Sequence, residues 1–159
     1  FAARVYALDT NPERLRLASN HPRVECFQLD PENTGAIEDR LQALPVDIVY
    51  DTTGAREGLD LATRIVRLGG HINLFGWIKG TTATFNPSIW HQNGIQVTNS
   101  SPSAKIRDPF PPAIRLMETG LVNLKPLISH VVPLDEYPGL MQSVIDGNAD
   151  YLKGVITLQ

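Results

Sequence analysis

Residues 4–14 read Arg4-Val5-Tyr6-Ala7-Leu8-Asp9-Thr10-Asn11-Pro12-Glu13-Arg14. The apolar run from Val5 to Leu8 closes on an acid, the pattern of a short buried strand. Asn11 is a good N-cap, Pro12 suits the first helical position, and Glu13 complements the first turn. A strand is therefore followed at once by a short helix carrying Leu15, Leu17 and Ala18. Working outward, residues 24–29 predict a second strand and residues 34–44 a second helix, with Ile37, Leu41 and Leu44 on its apolar face. Residues 46–51 predict a third strand. Residues 55–68 predict a third helix, with Leu59, Ala62, Ile65 and Val66 at core spacing. Gly69 and Gly70 stop that helix, and residues 71–75 predict a fourth strand ended by Gly76. Strand–helix alternation with short connections predicts an α/β fold, a doubly wound parallel sheet covered by helices on both faces. Ligands bind beyond the carboxyl ends of such strands. That singles out Asp9 to Asn11, Thr52 to Gly54, and Gly76 to Trp77.

The second half is richer in proline and turn residues. It predicts two helices whose apolar residues read as core. One spans 112–119, with Ala113, Leu116 and Met117. The other spans 136–146, capped by Asp135 and closed by Gly147, with Tyr137, Leu140, Met141, Val144 and Ile145. There is no internal repeat and no low-complexity tract.

The chain has 159 residues and a formal charge of −3, with 14 basic against 17 acidic side chains. That balance excludes a basic nucleic-acid footprint and a polybasic membrane patch. With 42% hydrophobic and 19% charged residues, the composition is that of a globular chain. No apolar run approaches the ~20 residues of a membrane helix. The lone cysteine, Cys26, gives no sign of an oxidising compartment and reads as a buried small apolar residue. No signal peptide opens the sequence, so the expected location is cytoplasmic. His21, His71, His91 and His130 are scattered without metal-ligand spacing, so no metal is expected on this chain. His130, among apolar residues, reads as structural, and His91 is unassigned.

A doubly wound nucleotide-binding sheet opens with a strand, a G-x-G-x-x-G turn and a helix. No such turn occurs here. The first element already resembles the second strand of that scheme, because it ends in the acid that follows the glycines by ~20 residues. The absent strand is the central one. Its neighbours would then each present an unpaired buried edge, which is costly. A fragment of a longer polypeptide is expected, incomplete at its N-terminus. The competing expectation is a complete small protein in which those neighbouring strands pair directly.

Four segments resemble the medium-chain alcohol dehydrogenase family, zinc-type branch. They are Ala3 to Arg14, Val46-Asp47-Ile48-Val49-Tyr50-Asp51-Thr52-Thr53-Gly54, Leu68-Gly69-Gly70-His71-Ile72-Asn73-Leu74-Phe75-Gly76, and Pro126 to Glu136. A helix and Lys153-Gly154-Val155-Ile156 follow the last. The resemblance covers nearly the whole chain, but only the C-terminal half of a family member. It implies that residues 1–102 are a partial NAD-binding Rossmann-like domain. Residues 103–159 would be a tail that packs on an upstream catalytic domain. The zinc ligands would lie upstream, outside this sequence, and the chain alone would be inactive.

The resemblance also assigns cofactor-binding residues, each with a plainer reading beside it. Asp9 would accept both hydroxyls of the adenine ribose and repel a 2′-phosphate, selecting NAD over NADP, or would only complement a helix dipole. Arg14 would reach the ribose, or be a solvated helix charge. Asn11 sits with them at the strand end. Thr52, Thr53 and Gly54 would let the adenosine half lie close to the backbone, or form an ordinary turn. Phe75, Gly76 and Trp77 would pass the nicotinamide, Gly76 allowing close approach. Trp77 departs from the family's small aliphatic residues and could instead cover the core. Ser100, in the loop Asn99-Ser100-Ser101-Pro102, would lie near the carboxamide, or belong to a plain turn. Lys153 would touch the pyrophosphate, or be solvated. No catalytic or metal-binding residue is expected here, and Asp51 has no base or nucleophile partner in sequence.

Three functions compete. The first is an NAD(H)-dependent alcohol or polyol dehydrogenase acting on a small alcohol or carbonyl substrate, with zinc held only by upstream residues. The second is an S-adenosylmethionine-dependent methyltransferase, favoured by Asp30 after the second strand. The Asn/Asp-Pro-Pro motif and a reversed seventh strand are both missing for it. The third is a non-catalytic fragment or dimerisation module. Residues 95–98 read as a short apolar edge strand started by the Asn93-Gly94 turn. A homodimer is therefore expected through 94–99, flanked by Trp90 and the loop 85–89.

Overall fold

In a computed structural model the structure describes residues 2–77, 86–100, 108–148 and 150–158. The chain divides into two compact units, residues 1–102 and 103–159.

In the first unit, β1 (Val5–Asp9) pairs in parallel with β2 (Val24–Gln28), from Val5 opposite Val24 to Asp9 opposite Gln28. Helix α1 (Pro12–Ala18) makes the crossover. Asn11 starts it as the sequence predicts. Its backbone is extended, its Oδ1 accepts from the Glu13 and Arg14 N–H groups at 2.8 and 3.4 Å, and Pro12 opens the helix. Helix α2 (Thr34–Gln42) leads to β3 (Ile48–Asp51), α3 (Arg56–Ile65) to β4 (His71–Leu74), and α4 (Pro87–Asn93) to β5 (Gln96–Asn99). These three strands form a parallel sheet in the order β3-β4-β5. Helix α4 lies where the sequence reading has only a loop and a turn. Its signals repeat those of α1, because Asn86 caps it through Ser88 N–H and Pro87 opens it. Gly94 ends it in the left-handed conformation at φ +62°. Phe85, expected beside a dimer contact, and Ser101 and Pro102 of the exit loop lie outside the described residues.

Two apolar clusters hold this unit. Phe27, Leu41, Leu61 and Ile65 form one, and Leu59, Ala62, Val66 and Ile72 the other. Val49 on β3 packs against both. Arg40 lies over the Phe27 ring, 4.9 Å from its centroid, and pairs with Glu25. Cys26 is only half-buried, and its thiol contacts the Leu15 carbonyl at 3.3 Å.

Among the described residues β1 pairs only with β2, and β3 only with β4. The direct pairing of these two strands that the competing small-protein alternative requires is not formed among the described residues. A groove lies between them instead.

The second unit has α5 (Phe110–Glu118), β6 (His130–Pro133), α6 (Tyr137–Ile145) and β7 (Gly154–Thr157). β6 and β7 pair in parallel from His130 opposite Gly154 to Pro133 opposite Thr157. Two expectations fail here. Ala113, Leu116, Met117, Tyr137 and Ile145 were predicted as core, yet all are exposed, and Leu140, Met141 and Val144 are only half-buried. Amphipathic spacing fixes which face is apolar, and burial requires a surface to receive it. Asp135 is not the cap of α6, because a 3-10 turn over Leu134–Glu136 precedes the helix and no side chain caps it. His130 is structural, as expected, with Nδ1 2.8 Å from Ser129 Oγ and its ring against Tyr151.

Candidate functional site

The strand ends of the first unit gather most of the residues singled out by sequence. At the end of β1, Asp9 keeps 30% of its side chain accessible. Its Oδ1 accepts the Asn11 N–H at 2.9 Å, which fixes the carboxylate plane. Its Oδ2 lies 3.6 Å from Arg14 Nη1, a half-open ion pair that contributes at most ~1 kcal/mol. Asn11, Asp9 and Arg14 are thus assembled by one helix start. The result is a fixed acceptor with negative charge, suited to paired hydroxyl donors and unsuited to a phosphate.

The ends of β3 and β4 form a second assembly. Asp51 is 7% exposed, and its Oδ1 accepts from Thr53 N–H at 2.9 Å and Thr53 Oγ1 at 2.6 Å. Thr53 Oγ1 in turn accepts the Ala55 N–H at 3.0 Å. The Asp51 carbonyl receives both Phe75 N–H and Gly76 N–H, at 2.9 and 2.7 Å. The two loops therefore meet backbone to backbone. A Cβ on Gly76 would stand 2.3 Å from Gly54 N and 2.7 Å from the Thr52 carbonyl carbon. Gly76 thus has a reason internal to the chain for lacking a side chain, beyond any approach of a ligand. Gly54 sits at φ +61°, a conformation that favours glycine. A Cβ on Gly58 would lie 2.3 Å from Thr53 Oγ1 and 2.9 Å from Asp51 Oδ1.

Sequence reasoning missed Gly58 and the partner of Asp51. The spacing of Asp51, Thr53 and Gly58 is the signal that could have found them. A side chain two residues on can close a turn, and a glycine within the next helix leaves it room. Phe75 and Trp77 flank Gly76 with exposed rings, Trp77 at 90%, so Trp77 does not cover the core. Ser100 N–H donates to the Leu74 carbonyl at 3.0 Å, joining the end of β5 to that of β4. Lys153 belongs to the second unit, where its carbonyl accepts from Ser129 and His130 N–H.

Asp30 does a local job. Its Oδ1 accepts from Glu32 and Asn33 N–H at 2.9 and 2.8 Å, closing the turn before α2. Every strand pair is parallel, with no reversed seventh strand among the described residues.

Among the described residues no three histidine, cysteine, aspartate or glutamate side chains are grouped to hold a metal. No helix of the described residues is long and apolar enough to cross a membrane.

Residues 1–119 match the family described as Zinc-binding dehydrogenase. The fold is shared with solved structures of alcohol and polyol dehydrogenases. The (2R,3R)-butanediol dehydrogenase of Bacillus subtilis is 20% identical at TM-score 0.80, over 98% of this chain and 44% of that one. An alcohol dehydrogenase of Thermus sp. is 20% identical at TM-score 0.80, over 99% and 44%. The L-idonate 5-dehydrogenase of Escherichia coli is 18% identical at TM-score 0.76, over 98% and 43%. The chain thus spans less than half the length of these proteins. With three-quarters of its residues inside the family match, the chain belongs to the zinc-binding dehydrogenases.

Proposed function

We propose that this chain is the cofactor-binding part of an NAD(H)-dependent alcohol or polyol dehydrogenase. The observation that carries the reading is Asp9, a partly accessible carboxylate at a strand end, oriented by the Asn11 N–H, with its second oxygen in a loose ion pair with Arg14. It would accept the two hydroxyls of the adenine ribose, with Arg14 beside them, and its charge would oppose a 2′-phosphate. Thr52, Thr53 and Gly54 would line the adenosine side. Phe75, Gly76, Trp77 and Ser100 would flank the nicotinamide, and Lys153 would reach the pyrophosphate.

The nicotinamide, when bound, supplies the hydride donor or acceptor for alcohol–carbonyl interconversion. The chain's own residues bind and orient it, and zinc would be held by residues outside this sequence. Residues 1–102 would act as the partial cofactor domain and residues 103–159 as a tail packing on a catalytic domain. The 159 residues alone would be inactive, and the location would be cytoplasmic.

The reading extends to a homodimer. β5 is the outer strand of its sheet, with an edge open among the described residues. Pairing of residues 94–99 with their two-fold copy would close that edge. A Val97→Pro change removes a ladder donor and should split the dimer in light scattering while cofactor still binds. A variant that stays dimeric moves the interface elsewhere.

The test of the cofactor reading is steady-state kinetics of the full-length polypeptide with NADH and NADPH. NADH should be preferred, and Asp9→Gly should cut that preference by the ~1.5–3 kcal/mol of a charged hydrogen bond, roughly 10- to 150-fold. Equal use of NADPH by the unchanged protein defeats the reading. A full-length protein with no turnover and no cofactor affinity would favour a dimerisation module instead.

A further inference from the structure

Lys153 stands immediately before β7, and its side chain is exposed. Among the described residues no carboxylate pairs with its ammonium group. Its direction is therefore set by its backbone, which is held from Ser129 and His130 at the start of β6. The Lys153 carbonyl accepts from the Ser129 and His130 N–H groups at 3.0 and 3.2 Å. Ser129 Oγ in turn accepts the Leu152 and Lys153 N–H groups at 2.9 and 3.2 Å. These bonds decide where the Ser129 proton goes. A hydroxyl has two lone pairs and one proton, and both lone pairs are taken by those N–H groups. Two acceptors lie within reach of the proton, the Lys153 carbonyl at 3.2 Å and His130 Nδ1 at 2.8 Å. The carbonyl already receives two N–H groups, which fill its own lone pairs. The proton therefore goes to His130 Nδ1, and the neutral imidazole carries its hydrogen on Nε2. The His130 ring lies against Tyr151, with centroids 5.6 Å apart, and the Tyr151 hydroxyl accepts the Gly154 N–H at 3.2 Å.

We infer that Ser129 is a positioning residue for Lys153. Its hydroxyl, oriented by His130, holds the Lys153 backbone so that the ammonium group is presented to the pyrophosphate of the dinucleotide. The inference rests on the cofactor reading, in which Lys153 reaches that group. Ser129 acts through Lys153 and not on the cofactor itself. A cation whose backbone is already fixed loses less freedom on binding than one on a loose segment, so the hydroxyl contributes to affinity by ordering Lys153 beforehand. Removing the hydroxyl leaves the Leu152 and Lys153 N–H groups without their acceptor and frees the residue between them and β7.

The test is a double-mutant cycle on the NADH affinity of the full-length polypeptide. Lys153→Met should weaken binding roughly 10- to 150-fold, as the loss of a charged hydrogen bond does. Ser129→Ala should weaken it roughly 2- to 10-fold through the lost hydroxyl. Ser129→Thr, which keeps the hydroxyl, should restore it. In the Lys153→Met background Ser129→Ala should have no further effect. Equal weakening in both backgrounds would make Ser129 a merely structural residue and overturn the inference, as would an unchanged affinity in Ser129→Ala alone. An unchanged affinity in Lys153→Met would instead defeat the cofactor role of Lys153, and the inference with it. The hydrogen-bond assignment is read separately, without cofactor, from the nitrogen-15 shifts of His130. These should show the Nε2–H tautomer, and an Nδ1–H ring would overturn the role given to the Ser129 hydroxyl.

Discussion

The first unit buries Leu41 and Ile72 completely, whereas no described residue of the second unit is buried. Both are built from the same device, a parallel strand pair bridged by a helix. They differ in what the helices meet. In the first unit α2 and α3 lie against each other and α3 against β3, so the apolar faces close on one another. In the second, α5 and α6 present Phe110, Leu116, Met117 and Ile145 outward. A helix–strand unit is thus only as stable as the surface that receives its apolar face. Single substitutions should be severe in the first unit and mild in the second.

The sharpest break of that contrast comes from Leu41→Ala, which should destabilise the first unit by ~2–5 kcal/mol, read as a lowered denaturation midpoint. Gly76→Ala should follow at about 1–3 kcal/mol, because its Cβ would press into the Gly54 and Thr52 backbone. Asn11→Ala should cost about 1 kcal/mol through loss of the α1 cap. In the second unit Gly139 lies within α6, and a Cβ there meets nothing within 4 Å. Gly139→Ala should therefore stabilise, by up to ~1 kcal/mol. Ile145→Ala, at a residue 77% exposed, should change stability by no more than about 0.5 kcal/mol. A large loss at Ile145 in the 159-residue chain would mean that the second unit has a core of its own, and the contrast would fail.

What was legible in the sequence was local. The Asn11-Pro12 start is written in adjacent residues and holds in the structure. Asn86-Pro87 carries the same signal for α4, which was missed because that helix, unlike the equally short α1 with its buried Leu15, buries none of its residues. The Asp51 assembly was not legible. It depends on Gly76 reaching Gly54 across two strands and on the space left by Gly58, and no local pattern encodes either approach. The exposure of Leu116 and Met117 was equally hidden, since periodicity reports an apolar face and not what covers it.

In the role proposed above, Asp9 reads the ribose of a nicotinamide dinucleotide. A crystal structure of the full-length polypeptide with NADH tests it most directly. Both adenine-ribose hydroxyls should lie about 2.6–3.0 Å from the Asp9 carboxylate, with Oδ1 still receiving the Asn11 N–H. A dinucleotide bound with its ribose away from Asp9 would contradict it.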